Sequence, residues 1–205
     1  MSCRPYLSLS PVVPVLTIER IEDAVPLAKA LVAGGLKVLE VTLRTPVAVE
    51  AMTRIAAEVP DAVLAAGTVL SLNDLERSAK AGARFAFSPG LADFMLEPQS
   101  LPILPGVATA SEIMKGLDAG LDTFKFFPAV PAGGIGALKG FHGPFQGVAF
   151  CPTGGIGLDN AAQFLALPNV LCVGGSWIAP TATIKAGDFA KIQALAAEAM
   201  ALARA

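Results

Sequence analysis

One lysine, Lys125, lies among three phenylalanines in the stretch DTFKFFPA. Burying an ammonium group is costly unless the group pairs with an acid or loses its proton. Because strand side chains alternate between two faces, Lys125 shares a face with Thr123 and Phe127. Phe124 and Phe126 then point the opposite way. Desolvation favours a neutral amine, which can attack a carbonyl carbon and form a Schiff base.

A second stretch, VLEVTLR, carries an acid and an arginine on one strand face. Glu40, Thr42 and Arg44 alternate with three apolar residues, so the three polar side chains are predicted to point together, away from the covering helices. A carboxylate near the amine can move protons, and a guanidinium can bind a substrate carboxylate through two hydrogen bonds. The alternative is a structural ion pair between Glu40 and Lys125.

Two glycine-rich segments follow the last two apolar runs, TGGI (Thr153–Ile156) and GGS (Gly174–Ser176). Glycine lets backbone N–H groups approach an anion closely, and such loops commonly bind phosphate in α/β barrels. Thr68, at the end of an earlier run, offers a hydroxyl group to the same pocket. Pro89 and Phe127 offer an apolar wall, although simple packing explains these two equally well.

Eight short apolar runs alternate with amphipathic segments, and this order positions the chemical residues. It predicts one domain, 1–205, folded as an eight-stranded parallel (β/α)8 barrel with short loops, and a doubly wound open sheet is the alternative. The predicted strands are Val12–Ile18, Val38–Arg44, Val63–Val69, Phe85–Pro89, Leu101–Val107, Thr123–Phe127, Gly147–Thr153 and Val170–Ser176. The predicted helices are Glu19–Ala33, Pro46–Val59, Ser71–Ala81, Ala92–Glu97, Ala110–Ala119, Gly134–Gly140, Leu158–Leu165 and Asp188–Arg204.

Composition excludes several classes of function. The 205 residues are 54% hydrophobic with a mean hydropathy of +0.61, yet no charge-free apolar stretch is long enough to span a membrane. Prolines interrupt the apolar segment near the N-terminus, and the segment therefore fits the apolar part of a secretion signal poorly. The net charge of −2 comes without a basic stripe, so no nucleic-acid partner is predicted.

Cysteine and histidine usage predicts a cytoplasmic protein without a metal. Cys3, Cys151 and Cys172 form an odd set with no motif spacing, which is typical of reduced thiols. His142 is the single histidine and is predicted to lie on the surface. No cluster has metal-ligand spacing.

Seven motifs together resemble one family, the 2-keto-3-deoxy-6-phosphogluconate (KDPG) aldolases, whose members also act as 4-hydroxy-2-oxoglutarate (KHG) aldolases. The resemblance runs in order from about Pro11 to Pro180. The motifs are LEVTLRTP, AAGTVL, SPG, LPGVAT, FKFFPA, FCPTGGI and GGSW. The resemblance implies a class I aldolase on an eight-stranded barrel, a homotrimer, and no metal or cofactor other than the covalent imine.

The resemblance also implies a role for each matched residue. Lys125 is the Schiff-base lysine, Glu40 is the general acid and base, and Arg44 holds the substrate carboxylate. Thr68, Pro89 and Phe127 line the pocket of the pyruvate moiety. The implied phosphate-binding residues are Thr153, Gly154, Gly155, Gly175 and Ser176.

Three departures leave the phosphate preference and the subunit contacts open. Ala149 stands where the family often has arginine, Val130 where it often has an acid, and the segment Asp93–Ser100 is short. The expected reaction is reversible cleavage of KDPG to pyruvate and glyceraldehyde 3-phosphate. The alternatives are the same chemistry on KHG or on 2-keto-3-deoxy-6-phosphogalactonate, and a phosphate-binding barrel without Schiff-base chemistry.

Overall fold

The computed structural model of the protein describes residues 2–202. Strands and helices alternate along most of this range. The strands are β1 Val12–Leu16, β2 Val38–Thr42, β3 Val63–Gly67, β4 Phe85–Phe87, β5 Ile103–Leu104, β6 Gly106–Val107, β7 Thr123–Phe126, β8 Ala149–Pro152 and β9 Val173–Gly175. The helices are α1 Arg4–Leu7, α2 Ala24–Ala33, α3 Ala48–Glu58, α4 Leu72–Lys80, α5 Ala110–Asp118, α6 Gly134–His142, α7 Ala161–Leu165, α8 Thr181–Lys185 and α9 Phe189–Met200.

The strands form two parallel sheets. One has six strands in the order β5-β4-β3-β2-β1-β9, and the other has three in the order β6-β7-β8. The prediction of a closed eight-stranded (β/α)8 barrel is therefore wrong. The broader prediction of an α/β fold with parallel strands is consistent with the observed pairing.

Proline explains where the predicted ring of strands is interrupted. The sequence predicts a single strand over Leu101–Val107, but Pro105 divides this run into β5, which pairs with β4, and β6, which pairs with β7. Proline has no N–H to donate, so the ladder cannot continue through it. Between β8 and β9, the described residues form two isolated bridges, Phe150 to Val170 and Thr153 to Gly174.

Most predicted helices are present, with shorter bounds. The segment predicted as helix Ala92–Glu97 forms a 3-10 helix, Asp93–Leu96, which agrees with the shortness of this region. A second 3-10 helix, Ile21–Asp23, precedes α2. Helices α1 and α8 were not predicted, since each has only five residues or fewer. The last helix ends at Met200, and the predicted end at Arg204 lies outside the described residues.

The apolar residues form two clusters on the two sides of the strands. The helices cover one side, where Leu39, Val41, Phe124 and Phe126 are fully buried. The other side holds an inner cluster that combines residues of both sheets with α1. Its members are Cys3, Leu7, Val13, Val38, Ala65, Phe85, Phe87, Leu104, Cys151 and Cys172. Strands buried on both faces account for the high apolar content.

The N-terminal helix α1 fits against the starts of the strands. Its Tyr6 ring stacks on Phe85 with centroids 4.9 Å apart, and Leu7 is fully buried. Arg4 donates from Nε to Thr123 Oγ1 at 2.8 Å and from Nη2 to the carbonyl of Asp122 at 3.1 Å. Thr123 is thus held at one end of β7, two residues before Lys125. Among residues 2–202, no helix has the length and apolar character that a membrane span requires.

Burial of Cys3 makes the stability of the fold sensitive to alkaline pH. Burial raises the pKa of this thiol from 9.0 to about 12. Between these two pKa values the unfolded thiol ionises while the folded thiol stays protonated. The contribution of the Cys3 thiol to the free energy of unfolding is therefore complete below pH 9 and is lost as the pH rises toward 12.

We therefore expect Cys3→Ala to flatten the alkaline loss of stability. Above about pH 9, the free energy of unfolding of the native protein should fall by about 1.4 kcal/mol more per pH unit than that of the variant. Urea denaturation at about pH 8 and about pH 10 measures this difference, because the packing cost of the alanine does not depend on pH. Equal pH slopes for the two proteins would contradict the assignment to Cys3.

Candidate active site

The lysine and the acid singled out from the sequence meet on the inner face of the strands. Lys125 Nζ lies 3.0 Å from Glu40 Oε1, and the two side chains are 4% and 1% exposed. Lys125 comes from β7 and Glu40 from β2, so the contact joins the two sheets. The predicted alternation is confirmed, since Phe124 and Phe126 pack on the helix side.

Two aromatic rings flank the lysine. Lys125 Nζ lies 5.2 Å from the ring centroid of Phe87 and 5.4 Å from that of Phe127. Phe127 was expected from the sequence as an apolar wall of the site, whereas Phe87 was not. Alternation in the short strand FAF would have identified it, because Phe85 and Phe87 share a face. Both rings exclude water from the amine and can stabilise its charged form.

A proton can pass between Lys125 and Glu40 without changing the net charge of the buried pair. Transfer from Lys125 Nζ to Glu40 Oε1 turns two buried charges into a neutral amine and a neutral acid. Such a transfer removes the desolvation penalty of both ions. Glu40 Oε2 is buried and has no hydrogen-bond partner among the described residues. This oxygen therefore has free lone pairs for a proton of a bound molecule.

Arg44 and Thr68 form a second, more exposed part of the site. Arg44 lies two residues beyond β2 rather than within a strand, and its Nε donates to Thr68 Oγ1 at 3.1 Å. Within residues 2–202 its guanidinium forms no ion pair, so it can bind an external carboxylate. Thr68 has a backbone φ of +60°, which is rare for a β-branched residue. Such strain is often found at binding sites.

The two glycine-rich segments follow β8 and β9. Gly154 and Gly155 have φ values of +104° and +77°, which other residues rarely adopt. The backbone N–H of Val130 donates to the carbonyl of Gly154 at 3.0 Å, so this segment packs on the loop that follows Lys125. Ser176 is exposed directly after β9, whose last residue is Gly175.

Thr153 is buried at the start of the first glycine-rich segment. Its side chain is 6% exposed, and its Oγ1 has no hydrogen-bond partner among the described residues. The bridge from Thr153 to Gly174 brings the two glycine-rich segments side by side. Pro89 is half-buried two residues after β4, whose last residue is Phe87. The predicted substrate-binding residues thus lie at or beyond the carboxyl ends of strands, where open α/β sheets bind ligands.

Two open clefts of the molecule lie elsewhere. A cleft of about 260 Å³ and one of about 220 Å³ share Ile103, Gly120 and Leu121 in their walls, and neither reaches Lys125. His142 is exposed at the end of α6, as predicted. Residues 2–202 contain no group of three or more His, Cys, Asp and Glu side chains that could hold a metal.

Comparison with known proteins identifies the family of this chain. The family model "KDPG and KHG aldolase" matches residues 4–195. A relative from Dickeya dadantii, named 2-dehydro-3-deoxy-phosphogluconate aldolase, is 53% identical over 100% of this chain and 97% of its own length.

Two solved structures are similar over nearly the whole chain. KDPG aldolase from Legionella pneumophila, with pyruvate captured at low pH as a covalent carbinolamine intermediate, is 47% identical with a TM-score of 0.95 and coverage of 98% and 99%. The Zymomonas mobilis enzyme with 3-phosphoglycerate is 53% identical with a TM-score of 0.93 and coverage of 98% and 96%. The chain therefore belongs to the KDPG and KHG aldolase family.

Proposed function

We propose that this enzyme reversibly cleaves 2-keto-3-deoxy-6-phosphogluconate to pyruvate and glyceraldehyde 3-phosphate through a Schiff base on Lys125. The observation that carries the proposal is the buried contact of 3.0 Å between Lys125 Nζ and Glu40 Oε1. A nucleophile within hydrogen-bond reach of a proton acceptor is the arrangement that covalent catalysis requires. The named relative from Dickeya dadantii and the carbinolamine of the Legionella enzyme support the same chemistry.

The first half of the reaction forms the imine. Glu40 takes a proton from the Lys125 ammonium, and the neutral amine attacks the C2 ketone to give a carbinolamine. Glu40 then returns the proton to the departing hydroxyl group, and water leaves. The product is an iminium ion at C2, with Glu40 again a carboxylate.

The second half breaks the C3–C4 bond. Glu40 accepts the proton of the C4 hydroxyl group while the bonding electrons move into the iminium, and glyceraldehyde 3-phosphate leaves. Glu40 next protonates C3 of the enamine, and water hydrolyses the resulting imine to release pyruvate and restore the amine. No cofactor is needed in this sequence because the iminium is the electron sink.

The residues around the pair orient the substrate. Arg44 binds the C1 carboxylate, and Thr68 fixes the guanidinium through the 3.1 Å hydrogen bond. Pro89 and Phe127 form the apolar wall next to C3. The proposed phosphate site consists of Thr153, Gly154, Gly155, Gly175 and Ser176.

Backbone conformation and one relative support that phosphate site. The left-handed glycines at 154 and 155 allow backbone N–H groups to approach an anion without a Cβ atom in between. The Zymomonas enzyme was solved with 3-phosphoglycerate, a phosphorylated acid. Val130 adds no negative charge next to Gly155, which favours a phosphate at the far end of the substrate.

A second substrate, KHG, is favoured by the family model, whose description includes both reactions. KHG shares the 2-keto acid end but has a carboxylate instead of the phosphorylated chain. The phosphogalactonate analogue also shares the 2-keto acid end, but it keeps the phosphorylated chain and has inverted stereochemistry at C4. A phosphate-binding protein without imine chemistry leaves the buried Lys125–Glu40 pair without a purpose.

We further propose a cytoplasmic homotrimer, which is what the resemblance to the family implies. Four large apolar side chains, Leu70, Leu72, Met114 and Leu117, are exposed between 38% and 62% on or next to α4 and α5, and contact between copies would cover them. Cys3 and Cys151 are buried thiols that form no disulfide, which fits a reducing compartment. A monomer in sedimentation velocity would contradict the trimer.

We expect Lys125→Arg to abolish turnover while retaining the charge next to Glu40. A guanidinium cannot form the imine, so kcat for pyruvate release should fall by at least about 10³-fold. Coupling the reaction to lactate dehydrogenase measures pyruvate directly. The control is Lys191→Arg, at an exposed position on α9, which should keep kcat within about twofold. Turnover above about a tenth of the native rate in Lys125→Arg would exclude the Schiff-base mechanism.

Substrates of different length separate the two anion sites. Arg44→Ala should raise KM for both KDPG and KHG by about 10- to 100-fold, because both carry the C1 carboxylate. Ser176→Ala should raise KM for KDPG by about 3- to 10-fold and leave KM for KHG unchanged, because only KDPG carries a phosphate. Steady-state kinetics with the two substrates test this pattern. If Ser176→Ala changed KM for KDPG and KM for KHG equally, the phosphate would bind elsewhere.

A further inference from the structure

Gly67, the last residue of β3, faces the carboxyl end of the Glu40 side chain. A Cβ atom at Gly67 would lie 2.4 Å from Glu40 Oε1, 2.7 Å from its Cγ and 3.0 Å from its Cδ. Real Cβ atoms do not approach other atoms so closely, so any side chain at this position would displace the acid. Three successive atoms are involved, and a rotation of the carboxylate alone would not relieve the contact.

Backbone conformation does not explain the glycine. Gly67 is absent from the set of residues with positive φ, whereas the next residue, Thr68, has a φ of +60°. The β-branched Thr68 thus has the left-handed backbone that favours glycine, whereas Gly67 has a backbone conformation that any residue can adopt. The missing side chain at Gly67 therefore provides space rather than conformational freedom.

The strand register shows why this space matters for Glu40. Glu40 pairs with Ala65, and Thr42 pairs with Gly67, so Gly67 lies one step further along the same face. The Glu40 side chain leans over Gly67 to bring Oε1 within 3.0 Å of Lys125 Nζ. At 1% exposure, the Glu40 side chain is shielded from solvent and lies among other protein atoms.

We propose that Gly67 is a positioning residue: because it has no side chain, the Glu40 carboxylate has room to lie against Lys125. This inference rests on the proposed function, in which Glu40 moves every proton. Displacing the carboxylate slows the proton transfers and leaves the C1 carboxylate bound by Arg44. Gly67 therefore acts on kcat rather than on KM.

We expect Gly67→Ala to lower kcat for pyruvate release by about 10- to 100-fold with KM within about threefold, since a displacement near 1 Å can cost this much. In a Glu40→Gln background the same substitution should change kcat by less than about twofold, because the group being positioned no longer transfers protons. The matched control is Gly140→Ala in α6, where a Cβ atom would meet nothing within 4 Å.

Thermal unfolding keeps the test decisive if Gly67→Ala folds poorly. Shortening the acid makes room for the methyl group, so Glu40→Asp/Gly67→Ala should melt higher than the sum of the two single effects predicts. Three results would each overturn the proposal. The first is native kcat and KM in Gly67→Ala, the second is an equal loss of kcat in the native and the Glu40→Gln backgrounds, and the third is additive effects on the melting temperature. A native enzyme that releases no pyruvate would instead refute the proposed function, and the melting cycle would still measure the contact between positions 40 and 67.

Discussion

The buried contact between Lys125 and Glu40 is the constraint on which the rest of the structure depends. Two charges with almost no exposure are stable together only when their geometry is well matched. The two partners come from different sheets, so both sheets must hold a fixed relative position. Packing provides this, because the inner cluster combines residues of both sheets with the N-terminal helix α1. A stable pair and a reactive amine thus require the same rigid surroundings.

Several features of the chain serve this geometry from a distance. Arg4 holds Thr123 at the start of β7, and Phe124 and Phe126 fix the other face of that strand against the helices. Around the amine, Phe87 and Phe127 limit water, which strengthens electrostatic interactions within the site. Arg44 and Ser176, which we propose bind the two anionic ends of the substrate, lie further out and are exposed, so a substrate can reach them.

Alternation along β2 and β7 was enough to predict that Glu40 and Lys125 point to one side, because the period of a strand is short and regular. The closed barrel was predicted wrongly because apolar runs do not reveal where a ladder breaks, as it does at Pro105. The roles of Arg44, Thr68 and the glycine-rich segments were indicated by residue type and spacing and specified by the family resemblance, and they stay proposals. Phe87 was missed although alternation along FAF places it on the same face as Phe85, and Gly67 was missed because its importance arises only from its contact with Glu40 on the neighbouring strand.

Trapping the intermediate with borohydride tests the central claim most directly. The protein is incubated with pyruvate, reduced and digested, and the peptides are weighed by mass spectrometry. We predict a reduced pyruvyl adduct on the peptide that contains Lys125, at a stoichiometry approaching one per chain, and none when reductant is omitted. Folded protein with excess pyruvate and an unmodified Lys125 would contradict the Schiff-base mechanism.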